Sequence, residues 1–220
     1  MRRRRSVPLM LILAAVVVWA SVVVPSSTAI AQLSVGVTLG SGKTGLSGDK
    51  PDKASYASRT ALVAGAIIEY GFKPDIRISF QPGISQSGTT ISFKIAGVEE
   101  KRDSLAIKLD YINLPLLARV VTDGGGWYVT GGPYVGLLQS VNGTPEGGGQ
   151  DLDLSDEVIS YDLGAIFGIG HFFPLGPVEA YVEFRMVQGL VNIREQTDGD
   201  IRLRNKGRQL HFGFLYRLGS

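Results

Sequence analysis

Cysteine is absent from this chain. That excludes disulfides, thiolate metal sites and a lipid-modified N-terminal cysteine. Beyond residue 31 there is also no continuous run of roughly 18 apolar residues, the length a transmembrane helix needs. Runs of strong helix formers are few. Past its first residues, a chain with these gaps can enter a membrane only as strands. What is abundant points the same way. The 29 glycines among 220 residues, with β-branched residues throughout, suggest an all-β protein of one domain or at most two small ones.

The N-terminus reads as a targeting segment. Arg2 to Arg5 supply a positive start, and Val7 to Val24 is apolar apart from Ser21, with Pro8 inside it. Ala29-Ile30-Ala31 then offers a small-residue cleavage site before Gln32. The spacing predicts a signal peptide over 1–31 and a mature domain over 32–220; the alternative is a retained membrane anchor. Removing 1–31 takes away four of the 22 cationic residues and no acid. The mature chain keeps 18 bases against 20 acids, net −2. The apparent basicity belongs to the leader, so a nucleic-acid partner is dropped.

The mature chain alternates. Leu33, Val35, Val37 and Leu39 face Ser34, Gly36, Thr38 and Gly40 across a first strand. A second runs over about Ala61–Phe72, with Glu69 on its minority face. A third starts near Ile76 and reaches Ser85, a fourth covers about Leu105–Val121, and a fifth about Trp127–Ser140. The sixth sets Ile159, Tyr161, Leu163, Ala165, Phe167 and Ile169 against Ser160, Asp162, Gly164, Gly168 and Gly170. The seventh sets Val178, Ala180, Val182, Phe184 and Met186 against Glu179, Tyr181, Glu183 and Arg185. The eighth, Gln209–Leu218, is the clearest. Leu210, Phe212, Phe214, Tyr216 and Leu218 oppose Gln209, His211, Gly213, Leu215 and Arg217. In the fourth strand the apolar set shifts from odd positions (Leu105, Ile107, Leu109, Tyr111) to even ones (Leu114, Leu116, Ala118, Val120). A β-bulge near Tyr111–Asn113, with Pro115 beside it, would restore one face.

The connections alternate in length. Short turns at 73–75, 122–126 and 174–177 separate long segments near 41–60, 88–103, 141–157 and 194–208. Eight strands with short turns on one side and long loops on the other are the signature of an outer-membrane barrel. Alternation alone does not say which face is outside, and a soluble lipocalin-like ligand-binding barrel would have the same period. Three features put lipid outside. Glycines gather on the polar face, where a narrow barrel is crowded. That face carries both signs of charge in Glu69, Arg77, Arg119, Asp162, Glu179, Glu183, Arg185 and Arg217, which can pair in a lumen. Aromatics (Tyr70, Phe72, Trp127, Tyr128, Phe172, Phe173 and Tyr216) fall near the short turns, as an interfacial girdle would. The predicted fold is an eight-stranded antiparallel up-and-down transmembrane β-barrel.

Several stretches carry a family resemblance. Asp110–Val120 (DYINLPLLARV) resembles the Tyr-x-x-x-Pro-Leu-Leu strand of the PorT-like outer-membrane β-barrel proteins. Gly131–Leu138, Asp162–Gly170, Glu183–Ile193 and the closing LHFGFLYRL resemble strands five to eight of that family, in order. The resemblance implies an eight-stranded barrel in the outer membrane of a diderm bacterium and says little about activity. The closing residues Leu218-Gly219-Ser220 depart from the aromatic end common in such proteins.

Candidate chemistry is sparse. The two histidines are His171, on the apolar parity, and His211, on the lumen face. With Ser160 and Asp162 also facing the lumen, a hydrolytic site can be drawn, but a lumen hydrogen-bond network is the favoured reading. Asp151–Glu157 packs four carboxylates without the Gly-turned spacing of a Ca²⁺ loop. A solvated acidic loop is expected there. Gly42-Lys43-Thr44 lacks the first glycine of a phosphate loop, since Val37 stands in its place and no helix follows. The Asn142-Gly143-Thr144 sequon carries no weight in a bacterial outer membrane. No catalytic, cofactor-binding or metal residue is assigned. The expected function is a small structural or adhesive outer-membrane barrel with no open pore. Its expected partners are outer-membrane lipid, the barrel-assembly machinery and a surface partner met through the loops. An outer-membrane lipid-acting enzyme is the alternative in another class.

Overall fold

An alternating strand has hydrogen-bonding groups along both edges, and these must all find partners inside a bilayer. In the computed structural model the barrel strands close into a ring, which brings both edges of each against a neighbour. The structure describes residues 32–48, 54–94, 102–122, 124, 126–145, 152–153, 158–193 and 202–218, so the signal peptide expected over 1–31 lies outside the described residues. The strands are β1 (Gln32–Gly48), β2 (Ala54–Gly71), β3 (Ile76–Phe80), β4 (Gly83–Lys94), β5 (Arg102–Val121), β6 (Trp127–Pro145), β7 (Leu152–Asp153), β8 (Tyr161–Leu175), β9 (Val178–Gly189) and β10 (Leu203–Leu218). All pairings are antiparallel. β1 pairs with β2 on one edge and with β10 on the other, from Leu33↔Leu218 to Gly48↔Leu203, and this closes the ring.

Eight of these elements' worth of chain make the barrel. β3 and β4 are one barrel strand, because both hold the same register against β5 (Ile76↔Val120, Gly83↔Asn113). The gap between them falls at Pro82, which has no N–H to give to a ladder. Its carbonyl still accepts from Ala66 N–H at 2.9 Å, and Gln81 N–H donates to Pro115 O at 3.1 Å. β7 is a two-residue addition paired to β6.

The two faces sort by polarity, inverted relative to a soluble barrel. On β10 the even residues Leu210 to Leu218 are exposed, Phe214 by 56%, whereas Leu215 between them is 0% exposed. The nine residues Leu210–Leu218, tilted as barrel strands are, span roughly 20 Å, close to the height of a barrel's apolar band. Val37, Leu39, Leu62, Ile84, Phe167 and Phe184 extend the same band around the outside. Glu183, Arg119, Glu69 and Asp162 point inward and are buried. A soluble ligand-binding barrel is thereby overturned, since its apolar set would line the cavity and its charges would face water.

Three expectations are corrected. First, the long connections are almost wholly strand where they are described. β1 and β2 have 17 and 18 residues, β5 and β6 have 20 and 19, and about 9–11 suffice to cross a bilayer. Residues 41–48, 54–60, 88–94, 102–103, 141–145 and 203–208 therefore continue the barrel on the loop side instead of forming loops. Second, β5 does not slip. Leu109, Tyr111, Leu117 and Arg119 are all buried on one parity, so Leu109 and Tyr111 face the lumen and not lipid. The apparent slip is a change of lumen chemistry above the membrane. There Leu46, Leu109, Tyr111, Val141 and Ile193 fill the interior as an apolar plug. The bulge is in β6: the register passes from Asp110↔Ser140 to Tyr111↔Leu138, leaving Gln139 extra. Third, Tyr128 and Phe172 do not belong to the girdle. Both are buried in the lumen, while Phe72, Trp127, Phe173 and Tyr216 are exposed on the outer wall.

The charged lumen as candidate functional site

Inward positions on five of the strands meet near the short-turn end. Arg119, from β5, is wholly buried. Its Nη1 donates to Glu69 Oε2 at 2.5 Å and its Nη2 to Glu183 Oε2 at 2.9 Å. Glu69 also accepts from Arg77 Nη1 at 3.2 Å, and Arg77 reaches on to Glu179 at 2.7 Å. Glu179 pairs with Arg217, and Glu183 with Arg185. The result is an unbroken alternating chain: Arg217, Glu179, Arg77, Glu69, Arg119, Glu183, Arg185. Alternation matters here. A lone charge in this lumen would carry a desolvation penalty of several kcal/mol, and each neighbour of opposite sign offsets it. Seven of the eight lumen charges singled out in the sequence are thus in one network. The eighth, Asp162, stands apart. Its Oδ2 accepts from Tyr134 Oη at 2.8 Å and Asn205 Nδ2 at 2.9 Å, and among the described residues no cation pairs with it.

The network sits in an aromatic box that sequence reasoning missed. Tyr128 and Phe172 stack at 4.3 Å, and Phe172 meets Tyr181 edge-on at 6.2 Å. The Arg119 guanidinium lies 4.9 Å from the Tyr181 ring and 5.1 Å from Tyr128, and that of Arg77 lies 4.5 Å from Phe172. Such cation–π contacts suit cations removed from water. Tyr128 Oη also donates to Glu183 at 2.7 Å, and Gln81 accepts from Arg185 at 2.7 Å. The signal was in the parity: Tyr128 shares its face with Thr130, and Phe172 shares its face with Asp162 and Gly170.

The structure does not assemble the hydrolytic triad that His211, Ser160 and Asp162 would need. His211 is buried and held by Gln209 Oε1 at 3.0 Å and Thr38 Oγ1 at 3.3 Å. Ser160 is exposed, beyond the start of β8. His171 lies between Trp127 and Phe173, at 5.0 and 4.6 Å, on the outer wall. Gly42-Lys43-Thr44 is extended strand within β1. Most of Asp151–Glu157 lies outside the described residues. Among the described residues no three acids or histidines are placed to hold a metal.

Comparison with known proteins gives a family. The outer membrane protein beta-barrel domain family matches residues 26–195. Among curated proteins no sequence relative is found. Solved structures with a similar course include Neisserial surface protein A, at 14% identity and TM-score 0.45, covering 84% of this chain and 97% of that one. Ail of Yersinia pestis, bound to the heparin analogue sucrose octasulfate, is 14% identical with TM-score 0.39, covering 85% and 99%. OprG of Pseudomonas aeruginosa is 10% identical with TM-score 0.41, covering 86% and 97%.

Proposed function

This chain belongs to the outer membrane protein beta-barrel domain family, and we propose that within the outer membrane it is a closed, non-enzymatic barrel that works through its outer end. The observation that carries this reading is the filled lumen. The seven-membered charge chain blocks the short-turn end, and Leu46, Leu109, Tyr111, Val141 and Ile193 block the other. A barrel filled with side chains leaves no aqueous channel. Its strands also run on past the bilayer, so the barrel stands out from the membrane as a stalk. That arrangement suits adhesion or another surface contact. The motifs of strands four to eight support placing it among the PorT-like barrels.

The reading is tested in two measurements. Purified barrel in planar bilayers is expected to give no steady conductance. Exchange of residues 95–101, 146–151 and 194–201 for short Gly-Ser linkers is expected to abolish binding of intact cells to their surface ligand, while the heat-modifiable gel shift stays. Steady single-channel steps in the parent barrel would sink the closed-barrel reading. Unchanged cell binding by the exchanged barrel would sink the surface role.

A further inference from the structure

The outer wall of β10 changes character abruptly. Its outward residues from Leu210 to Leu218 are all apolar, and the next outward positions towards the loop side are Arg208, Lys206 and Arg204. Arg208 lies opposite Lys43 of β1, whose side chain also points outward, and Lys206 lies opposite Gly45. Four cations therefore cluster at the upper border of the lipid band. Lys43 Nζ donates to Thr60 Oγ1 at 3.3 Å, and the Arg204 Nε is buried without a partner. Outward neighbours on the flanking strands are neutral: Ser58 and Thr60 on β2, Met186 and Gln188 on β9. Among the described residues no acid faces this cluster. On the far wall Lys108 of β5 is instead paired with Asp110 at 3.3 Å.

The cluster opens onto a groove of about 980 Å³. Lys43, Lys206 and Arg208 line it together with Phe167, Phe184 and Leu210; Leu210 and its partner Phe184 lie one outward step below Arg208, and Phe167 is level with Arg208 through Met186. Gly45 adds no side chain to its floor. We propose that this groove binds an anionic lipid of the outer leaflet, its phosphorylated headgroup on the cations and an acyl chain against the apolar residues below. The two-part lining is what selects a lipid. A free phosphate would use only the upper half. A partner protein would leave the lower half facing acyl chains. Lys and Arg stems lie readily along an apolar wall while their tips reach headgroup phosphates, and cations near a lipid surface gain attraction from anionic headgroups.

The test uses the full mature barrel, refolded in neutral detergent and checked by its gel shift. Binding is read by native mass spectrometry with two probes, diphosphoryl lipid A and phosphatidylcholine. The parent is expected to retain lipid A at least about tenfold better. Lys43→Gln/Lys206→Gln/Arg208→Gln, which keeps long stems, is expected to lose that preference. Lys206→Arg/Arg208→Lys is expected to keep it, and so is Lys73→Gln at the opposite end. Equal retention of both lipids by the parent, or an undiminished preference in the triple variant, overturns the site. Displacement of lipid A by equimolar inorganic phosphate overturns its assignment to a lipid.

Discussion

The ring of Tyr181, on β9, covers Gly213, its cross-strand partner on β10, in the space a Cβ would fill. The relation recurs inside the barrel. Tyr128 lies over Gly170, and Tyr134 over Gly164, each the paired residue on β8. Glycine here supplies room for an aromatic ring, and the ring covers backbone that glycine would otherwise leave bare. Gly213→Val is therefore expected to destabilise the barrel by about 1–3 kcal/mol through overpacking. Gly131→Ala, whose Cβ would meet the Phe167 ring at 3.5 Å and the Ile166 carbonyl at 3.7 Å, both ordinary contacts, is expected to be near neutral. Urea unfolding in lipid vesicles measures both, and equal effects would remove the ring-over-glycine account.

Arg119 is the hinge of the charge chain, since it joins Glu69 to Glu183. Arg119→Met fills similar space but takes from Glu69 and from Glu183 one of the two cations each is paired with. The expected loss is about 1–3 kcal/mol, that of charge-assisted hydrogen bonds. Arg119→Met combined with Glu183→Gln also takes the acid from Arg185 and is expected to be less stable than Arg119→Met alone. A double variant more stable than the single one would show that pairing is not what holds these residues.

Asp162 makes the opposite case. It accepts two hydrogen bonds through Oδ2, but its Oδ1 is buried without a partner. Asp162→Asn keeps an acceptor for Tyr134 and Asn205 and removes a charge that no cation neutralises. The midpoint of urea unfolding at neutral pH is expected to stay or to rise. A marked fall would mean that the carboxylate is paired within the folded barrel after all.

Much of this fold is readable from period-two alternation, because lipid outside and charge inside make every membrane-crossing strand two-faced. β8, β9 and β10 follow that rule over most of their membrane span, with Ile166 and Leu215 as inward apolar exceptions. The rule fails where the environment changes. Ile107, Leu109 and Tyr111 looked lipid-facing because they are apolar, yet they sit above the bilayer, where the lumen itself is apolar. Tyr128 and Phe172 looked like girdle residues because they lie near short turns. Their inward parity, which decides the matter, was carried by their own strands, through Thr130 beside Tyr128 and through Asp162 and Gly170 beside Phe172. Long-range pairing also eludes the sequence: alternation can place Arg77 and Arg119 in a lumen without saying that Glu69 bridges them.

Phe214 and Leu215 put the two environments side by side. They are neighbours in sequence, yet Phe214 faces the outside and Leu215 the packed lumen beside Ile67 and Tyr181. Phe214→Arg places a charge near the centre of the lipid band, at an expected cost of about 2–4 kcal/mol. Leu215→Ala leaves a cavity, at an expected cost of about 2–5 kcal/mol. The costs should respond differently to the bilayer. In vesicles of shorter-chain lipid an arginine reaches the headgroups more easily, so the Phe214→Arg penalty should fall, whereas the lumen cavity of Leu215→Ala is blind to lipid thickness. Unfolding each variant in two lipid thicknesses separates the terms, and a thickness-dependent Leu215→Ala penalty would place that side chain in lipid and invert the register of β10.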